Sequence, residues 1–302
     1  MAASRAAQAI KKISSNLVVS PQSEVYDEIL KSHFSEVERE LKPAYFITPR
    51  SAQQVSQVLE VCRPFAGDLQ IAICGAGQQS TPRVADVRDE LTVHLRNLEG
   101  IQIDKEKKIG SVAAGERMGN VYEKLISLGL GVAGNRHSSG GIGGDAVQVS
   151  SRNLSGFFVF ISAGDFSYYS YSRGFICDNV VNYEIALVSG EIVNASPKDK
   201  PDLFAASKGG VSNFGIVTRF DLQAFDQGEM WGGKLFHFEL SFSGQIYMLV
   251  HYLRQDKPET DIYICLSLGY TAAMGAVLCM NDIFCLLLHK PKSLEPFVDI
   301  QL

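Results

Sequence analysis

Between Gly131 and Gly144 the chain reads GVAGNRHSSGGIGG, with glycine at six of fourteen positions, directly after a well-formed helical pattern. Glycine tolerates positive φ and lets backbone N–H groups approach a ligand closely, so such a stretch can form a concavity for anionic oxygens. Taken alone it is equally well a tight surface turn. Two companions change that balance. Cys74-Gly75-Ala76-Gly77-Gln78-Gln79 follows the apolar Ile71-Ala72-Ile73, and Gly209-Gly210-Val211-Ser212-Asn213-Phe214-Gly215 precedes Ile216-Val217. Three strand-adjacent glycine loops predict one extended, phosphate-bearing ligand.

A chain of 302 residues can bury a substantial core and has room for about two domains. Its formal net charge is −5, and Lys and Arg gather on no one stretch, which argues against a nucleic-acid partner. Cys62, Cys74, Cys177, Cys265, Cys279 and Cys285 form no CxxC and no regular framework, so neither a metal site nor a disulfide scaffold is implied, and buried thiols are expected. Lys11 and Lys12 interrupt the apolar character of the N-terminus that a secretory signal needs, so a cytoplasmic location is expected. In Ala272–Leu288 a membrane span competes with a core segment; Asn281 and Asp282 at its middle, and its shortness, favour the core and no membrane association.

In chain order, residues 1–20 are expected to form a loosely held arm, and Tyr26, Ile29, Leu30 and His33 mark a short amphipathic helix. A strand is expected at Ala44–Ile47. Ser51 and Gln54 suggest a capping box opening a helix buried through Val55, Val58, Leu59 and Cys62. Strands are predicted at Leu69–Ile73, Leu91–Leu95 and Ile109–Ala114, then a helix with Met118, Val121, Tyr122, Leu125 and Ile126 on one apolar face. A Rossmann reading fails, because Gly75-Ala76-Gly77 lacks the third glycine and no helical pattern follows. Val180–Leu187 and Glu191–Asn194 read as a hairpin, Asp202–Ala206 as a short helix, Phe214–Leu222 as a strand, and Lys234–Leu240 as a half-buried strand.

The ordered set Pro49-Arg50-Ser51, the Gly75 loop, Ala114-Gly115-Glu116-Arg117, Gly140-Gly141-Ile142-Gly143-Gly144, Gly174–Val181 and Asn213–Thr218 resembles the FAD-linked oxidoreductases of the vanillyl-alcohol oxidase, PCMH-type family, close to the fungal berberine-bridge-enzyme-like group. The resemblance implies an α+β fold: a PCMH-type FAD-binding module of two α+β subdomains at 42–225, after an N-terminal arm and helix at 1–41. A truncated α+β substrate domain would follow at 226–302, since family members continue past Leu302. It also implies that Gly75, Ala76, Gly77, Gln78 and Gln79 approach the pyrophosphate of FAD. Gly140, Gly141, Gly143 and Gly144 would lie toward the flavin, and Ile216 and Val217 by the adenosine portion. The implied chemistry is removal of a hydride from a small organic substrate bearing a hydroxyl or amine, with molecular oxygen as an electron acceptor. No residue matches a family motif for the catalytic base; His237 and His251 are candidates by chemistry only.

Two departures from the family pattern carry their own expectations. Residues 145–162 stand as an atypical insertion after Gly144, expected to loop outward and to be cut first by proteases; the alternative function is a non-catalytic member with impaired flavin binding. Where relatives attach FAD covalently through a histidine and a cysteine, this chain has Gln78 and His137. Neither offers the required nucleophile in its place, so FAD is expected to be non-covalent. The cluster Tyr168-Tyr169-Ser170-Tyr171 is expected to be exposed, and with it a carbohydrate-binding or interaction role is a third reading.

Overall fold

The computed structural model describes residues 2–79, 81–147, 166–238, 241–256 and 259–299. Most of the expected insertion therefore lies outside the described residues. The chain divides into two compact units, Met1–Ser167 with Phe175–Phe225, and Tyr168–Gly174 with Asp226–Leu302.

In the first unit α1 (Ala2–Ile13) corrects the expectation of a loose arm. Ala3, Ala6, Ala7 and Ile10 recur on one face and are fully buried in the main core. Small alanines give a weak apolar signal in sequence, yet they let a helix backbone approach its neighbour closely. Arg5 and Lys11 lie over the Phe65 and Tyr45 rings at 5.5 and 5.8 Å, adding cation–π contacts to that packing. After β1 (Val18–Val19), α2 (Glu24–Ser32) starts at Ser23, whose Oγ accepts from Tyr26 N, and the short α3 (Glu36–Arg39) follows.

Strands β2 (Tyr45–Ile47), β3 (Ile71–Cys74) and β4 (Leu91–His94) complete a four-stranded sheet in the order β1-β2-β4-β3. Between them α4 (Ala52–Cys62) buries Val55, Val58, Leu59 and Cys62 at the expected spacing. Ser51 Oγ accepts from Gln54 N, but Gln54 Oε1 accepts from Arg50 N, so the reciprocal half of the capping box is shifted by one residue. β3 and β4 run parallel, with no helix between them among the described residues, consistent with rejection of a Rossmann unit.

The second sheet begins with β5 (Ile101–Asp104) and β6 (Ile109–Ala113), an antiparallel pair of which the sequence reading found only β6. Helix α5 (Met118–Ile126) buries Met118, Val121 and Leu125, whereas Ile126 is 71% exposed and leaves the expected apolar face. β7 (Leu130–Val132) leads to α6 (Ile142–Val147). The first residues of the expected insertion belong to this helix: Ala146 is buried, and its carbonyl accepts from Tyr183 Oη at 3.2 Å. The short α7 (Ser170–Arg173) belongs to the second unit. β8 (Val180–Leu187) and β9 (Ile192–Ala195) form the hairpin, α8 (Pro201–Ser207) follows, and β10 (Gly215–Asp226) enters the sheet between β6 and β8. One continuous apolar cluster, including Ile47, Val93, Met118, Ile185 and Phe220, joins both sheets. Each such side chain contributes about 1.5–3 kcal/mol by leaving water.

The second unit is a sheet in the order β11 (Trp231–His237), β13 (Ala276–Cys285), β12 (Ile262–Thr271), with α9 (Phe242–Leu253) and α10 (Glu295–Val298). Its core contains Tyr252, Ile283, Leu294 and Phe297. The apolar run that a membrane could have claimed contains the central strand β13, which buries Cys279, Ile283 and Cys285 in the second unit. Asn281 is satisfied by Gln245 at 2.6 Å and Asp282 by Lys234 Nζ at 2.6 Å. No helix among the described residues is long and apolar enough to cross a membrane. Tyr169 is buried and Tyr168 packs on Tyr263 and Phe284, with ring centroids 5.1 and 4.5 Å away, so only Tyr171 of the expected exposed cluster is exposed. The exposed aromatic cluster on which a carbohydrate-binding reading rested is thus reduced to Tyr171.

Candidate functional site

The first glycine loop leaves the end of β3 and turns at Gly77, whose φ of +71° is a backbone region that glycine occupies without strain. Phe34 N, just beyond α2, donates to Gly77 O at 2.8 Å and anchors the loop. The second loop descends onto the start of α5. There Met118 N donates to Gly140 O at 2.8 Å, Gly119 N to Ser138 O at 2.9 Å, and Ile142 N to Glu116 O at 3.3 Å.

These two loops meet. A Cβ on Gly141 would stand 2.6 Å from Ala76 Cβ and 3.0 Å from Ala76 N, so the approach exists only because residue 141 has no side chain. Ser139 Oγ donates to Gln78 Oε1 at 3.3 Å across the same junction. Arg117, at the N-cap of α5, ties the pair together: Nη1 donates to Ser139 O at 3.2 Å and Nη2 to Ala76 O at 3.4 Å. In the sequence Arg117 stands in the Ala114–Arg117 motif with no role, and only the glycine loops are assigned to the pyrophosphate and flavin. A guanidinium stands beside those loops.

Ile216 opens from β10 onto a cavity of about 220 Å³, lined also by Ile71 and Ile73 of β3, by Leu59 and Arg63, and by Ser212 and Gly215 of the third loop. Val217 does not line it; as the next residue on a strand it faces the other side of β10 and packs against the main core. The structure therefore joins Gly75–Gln79 to Gly140–Gly144, and brings Ile216 beside Ile71 and Ile73 of β3, the strand that the first loop leaves. His137 is exposed, in the turn ahead of Gly140. His251 lies exposed on α9 and His237 half-buried on β11, both in the second unit.

Beneath the first loop is a group of buried polar side chains that the sequence reading did not bring together: His33, Asp86 and His94, beside Cys74. Burial, with the Arg39 charge, pushes the His33 imidazole down to about 4. Burial, with His33 and nearby arginines, takes His94 down to about 3. Burial, with Glu38 adding to it and the Thr92 hydroxyl opposing, raises the Asp86 carboxyl to about 7. Both imidazoles are thus neutral at ordinary pH.

Compared with known proteins, residues 43–159 match the FAD binding domain family. The chain carries an FAD binding domain of this family. The FAD-dependent monooxygenase tpcD of Cochliobolus heterostrophus is 30% identical over 239 residues, which cover 78% of this chain and 43% of that protein. The FAD-dependent monooxygenase FUP4 of Fusarium proliferatum is 33% identical over 201 residues, covering 67% and 36%. This chain thus spans less than half the length of these curated relatives. Among solved structures, a BBE-like protein of Physcomitrella patens superposes with a TM-score of 0.76 at 20% identity, over 97% of this chain and 58% of that one. The 6-hydroxy-D-nicotine oxidase of Arthrobacter nicotinovorans gives 0.74 at 19%, over 89% and 55%. These structural likenesses show the α+β, PCMH-type fold.

Proposed function

We propose that the first unit holds FAD, with its pyrophosphate at the junction of Gly75–Gln79 and Gly140–Gly144 and its adenosine end toward the Ile216 cavity. The observation that carries this reading is the Gly141–Ala76 approach: the two glycine loops pack so closely that any side chain on residue 141 would force them apart. Glycine amides suit phosphate oxygens, and Arg117 adds a positive charge while holding the loops in place. The second unit would then form part of the substrate domain. Bound FAD would supply two-electron oxidation of a small organic substrate, an alcohol, sugar or amine, with molecular oxygen as electron acceptor. Relatives named as monooxygenases and structural neighbours that include a chitooligosaccharide oxidase and an enzyme seen with (S)-reticuline agree with a small-molecule substrate.

The visible spectrum of the purified chain tests this. Flavin bands in near-stoichiometric amount are expected; a folded but colourless protein would overturn the reading in favour of a family member that does not retain flavin, which the insertion beside Gly144 favours. The flavin should also be non-covalent. Gln78 is an amide without a nucleophilic nitrogen, and His137 is exposed in its turn. Acid precipitation should leave flavin fluorescence in the supernatant; fluorescence in the pellet would contradict non-covalent binding and single out His137.

Arg117→Met keeps the length of the stem and removes both loop contacts. FAD affinity is expected to fall about tenfold, the worth of one charge-assisted hydrogen bond at about 1.5 kcal/mol. Titration of apoprotein by quenching of flavin fluorescence reads this directly, and an unchanged affinity would show that the guanidinium plays no part in holding the cofactor.

A further inference from the structure

We infer that His33, Cys74 and His94 form a zinc site, with Asp86 as the outer partner of His33. Cys74 and His94 are register partners on the parallel strands β3 and β4, so their side chains leave the same face side by side. His33 comes to them from the C-cap of α2. One ligand atom from each of the three residues lies within 4.8 Å of the other two. A tetrahedral zinc ion, with bonds of about 2.0–2.3 Å, needs its ligand atoms about 3.3–3.8 Å apart, so the site closes by roughly an ångström.

The residues are 1%, 0% and 3% exposed, and buried polar atoms ordinarily have partners. Among the described residues, both His33 ring nitrogens, both Asp86 carboxyl oxygens and His94 Nε2 have no hydrogen-bond partner. His33 Nε2 lies 3.1 Å from Asp86 Oδ2 without the alignment of a hydrogen bond, close enough to form the carboxylate–histidine pair that leaves Nδ1 for a metal once an ion fixes the ring. Burial, with the Asp86 and Glu38 carboxyls, holds the Cys74 thiol well above its ordinary range, so only a bound metal ion would draw it to thiolate, and the Gly77 amide hydrogen-bonded to the sulfur favours that form. Two imidazoles and one thiolate select zinc over magnesium or calcium, which take oxygen donors. Binding displaces the thiol proton of Cys74 to solvent and leaves a fourth position for a non-protein ligand. Zinc on His94 Nε2 requires the ring proton on Nδ1, so the 3.3 Å contact from Arg96 N to Nδ1 must yield, as must the thiol contact from Cys74 Sγ to Gly75 O at 3.9 Å. The ion would pin the end of α2 to β3 and β4 directly under Gly77, and so would support the first glycine loop from below.

The test uses the full chain without a histidine tag, stripped with chelator and reconstituted with zinc sulfate or cobalt chloride. About one zinc per chain should be retained, with a raised melting temperature. Cobalt should show intense tetrahedral d–d bands and a thiolate charge-transfer band in the difference spectrum. Cys74→Ser should lose the charge-transfer band, and Asp86→Asn should keep it while zinc affinity falls about 10–100-fold. Zinc-edge X-ray absorption on the unaltered protein should show one sulfur and two imidazole neighbours, which keeps the proposal testable if a variant does not fold. Failure to retain zinc, a coordination shell without sulfur, or a cobalt spectrum unchanged by Cys74→Ser would each overturn it.

Discussion

Gly77→Asp is expected to abolish flavin retention, whereas Gly77→Asn should keep a measurable share of it. Both substitutions place a side chain at a φ of +71°, and both bring a Cβ to about 3.3 Å from His33 Nδ1. Asn and Asp are the non-glycine residues that best accept this backbone region, so the strain is modest and common to the pair. They differ in one charge. A carboxylate about 4 Å from a phosphate is repelled by about 4 kcal/mol at an effective dielectric of 20, roughly a thousandfold in affinity. The ratio of 450 nm to 280 nm absorbance after purification, with circular dichroism to show both variants folded, decides the matter. Equal flavin content in the two variants would place the pyrophosphate elsewhere.

The largest loss of stability is expected at Gly115, between β6 and α5. A Cβ there would lie 2.0 Å from Leu95 O and 2.7 Å from Leu98 O, and Gly115 N already donates to Leu98 O at 2.9 Å. The obstacle is backbone, which cannot rotate aside as a side chain would. Gly115→Ala should therefore destabilise the first unit by about 3 kcal/mol or more, at the upper end of overpacking effects. Gly75→Ala is the contrast: its Cβ would meet nothing closer than Ala114 O at 4.0 Å, so its stability should stay near that of the parent chain. Urea unfolding of both variants separates the cases, and a Gly115→Ala midpoint matching that of the parent would show that the 95–98 turn can move away at little cost.

Much of the fold was legible because it rests on local pattern. The stripes Val55-Val58-Leu59-Cys62 and Met118-Val121-Leu125 carry the helical period, and the Val188-Ser189-Gly190 turn marks the β8–β9 hairpin. Elements without such a period were missed. Helix α1 hides its buried face in alanines, and β5 alternates Ile101 and Ile103 with polar residues over only four positions. Ile126 has the helical spacing of a core residue, but nothing packs over it at the end of α5, which no local pattern reports.

The glycine loops, the failure of the dinucleotide fingerprint and the family resemblance were determined by the sequence alone, since each depends on residues adjacent in the chain. Which loops touch was decided by the tertiary structure. Arg117 reaches Ala76 and Ser139 because the start of α5 lies against the second loop where that loop meets the first. His33, Cys74 and His94 have no motif spacing; the parallel register of β3 and β4 and the end of α2 bring them together. Local pattern records the period of an element and the residues its turns require. The partner across a sheet or beneath a loop is set by strand register and core packing, where residues far apart in the chain exclude the same water.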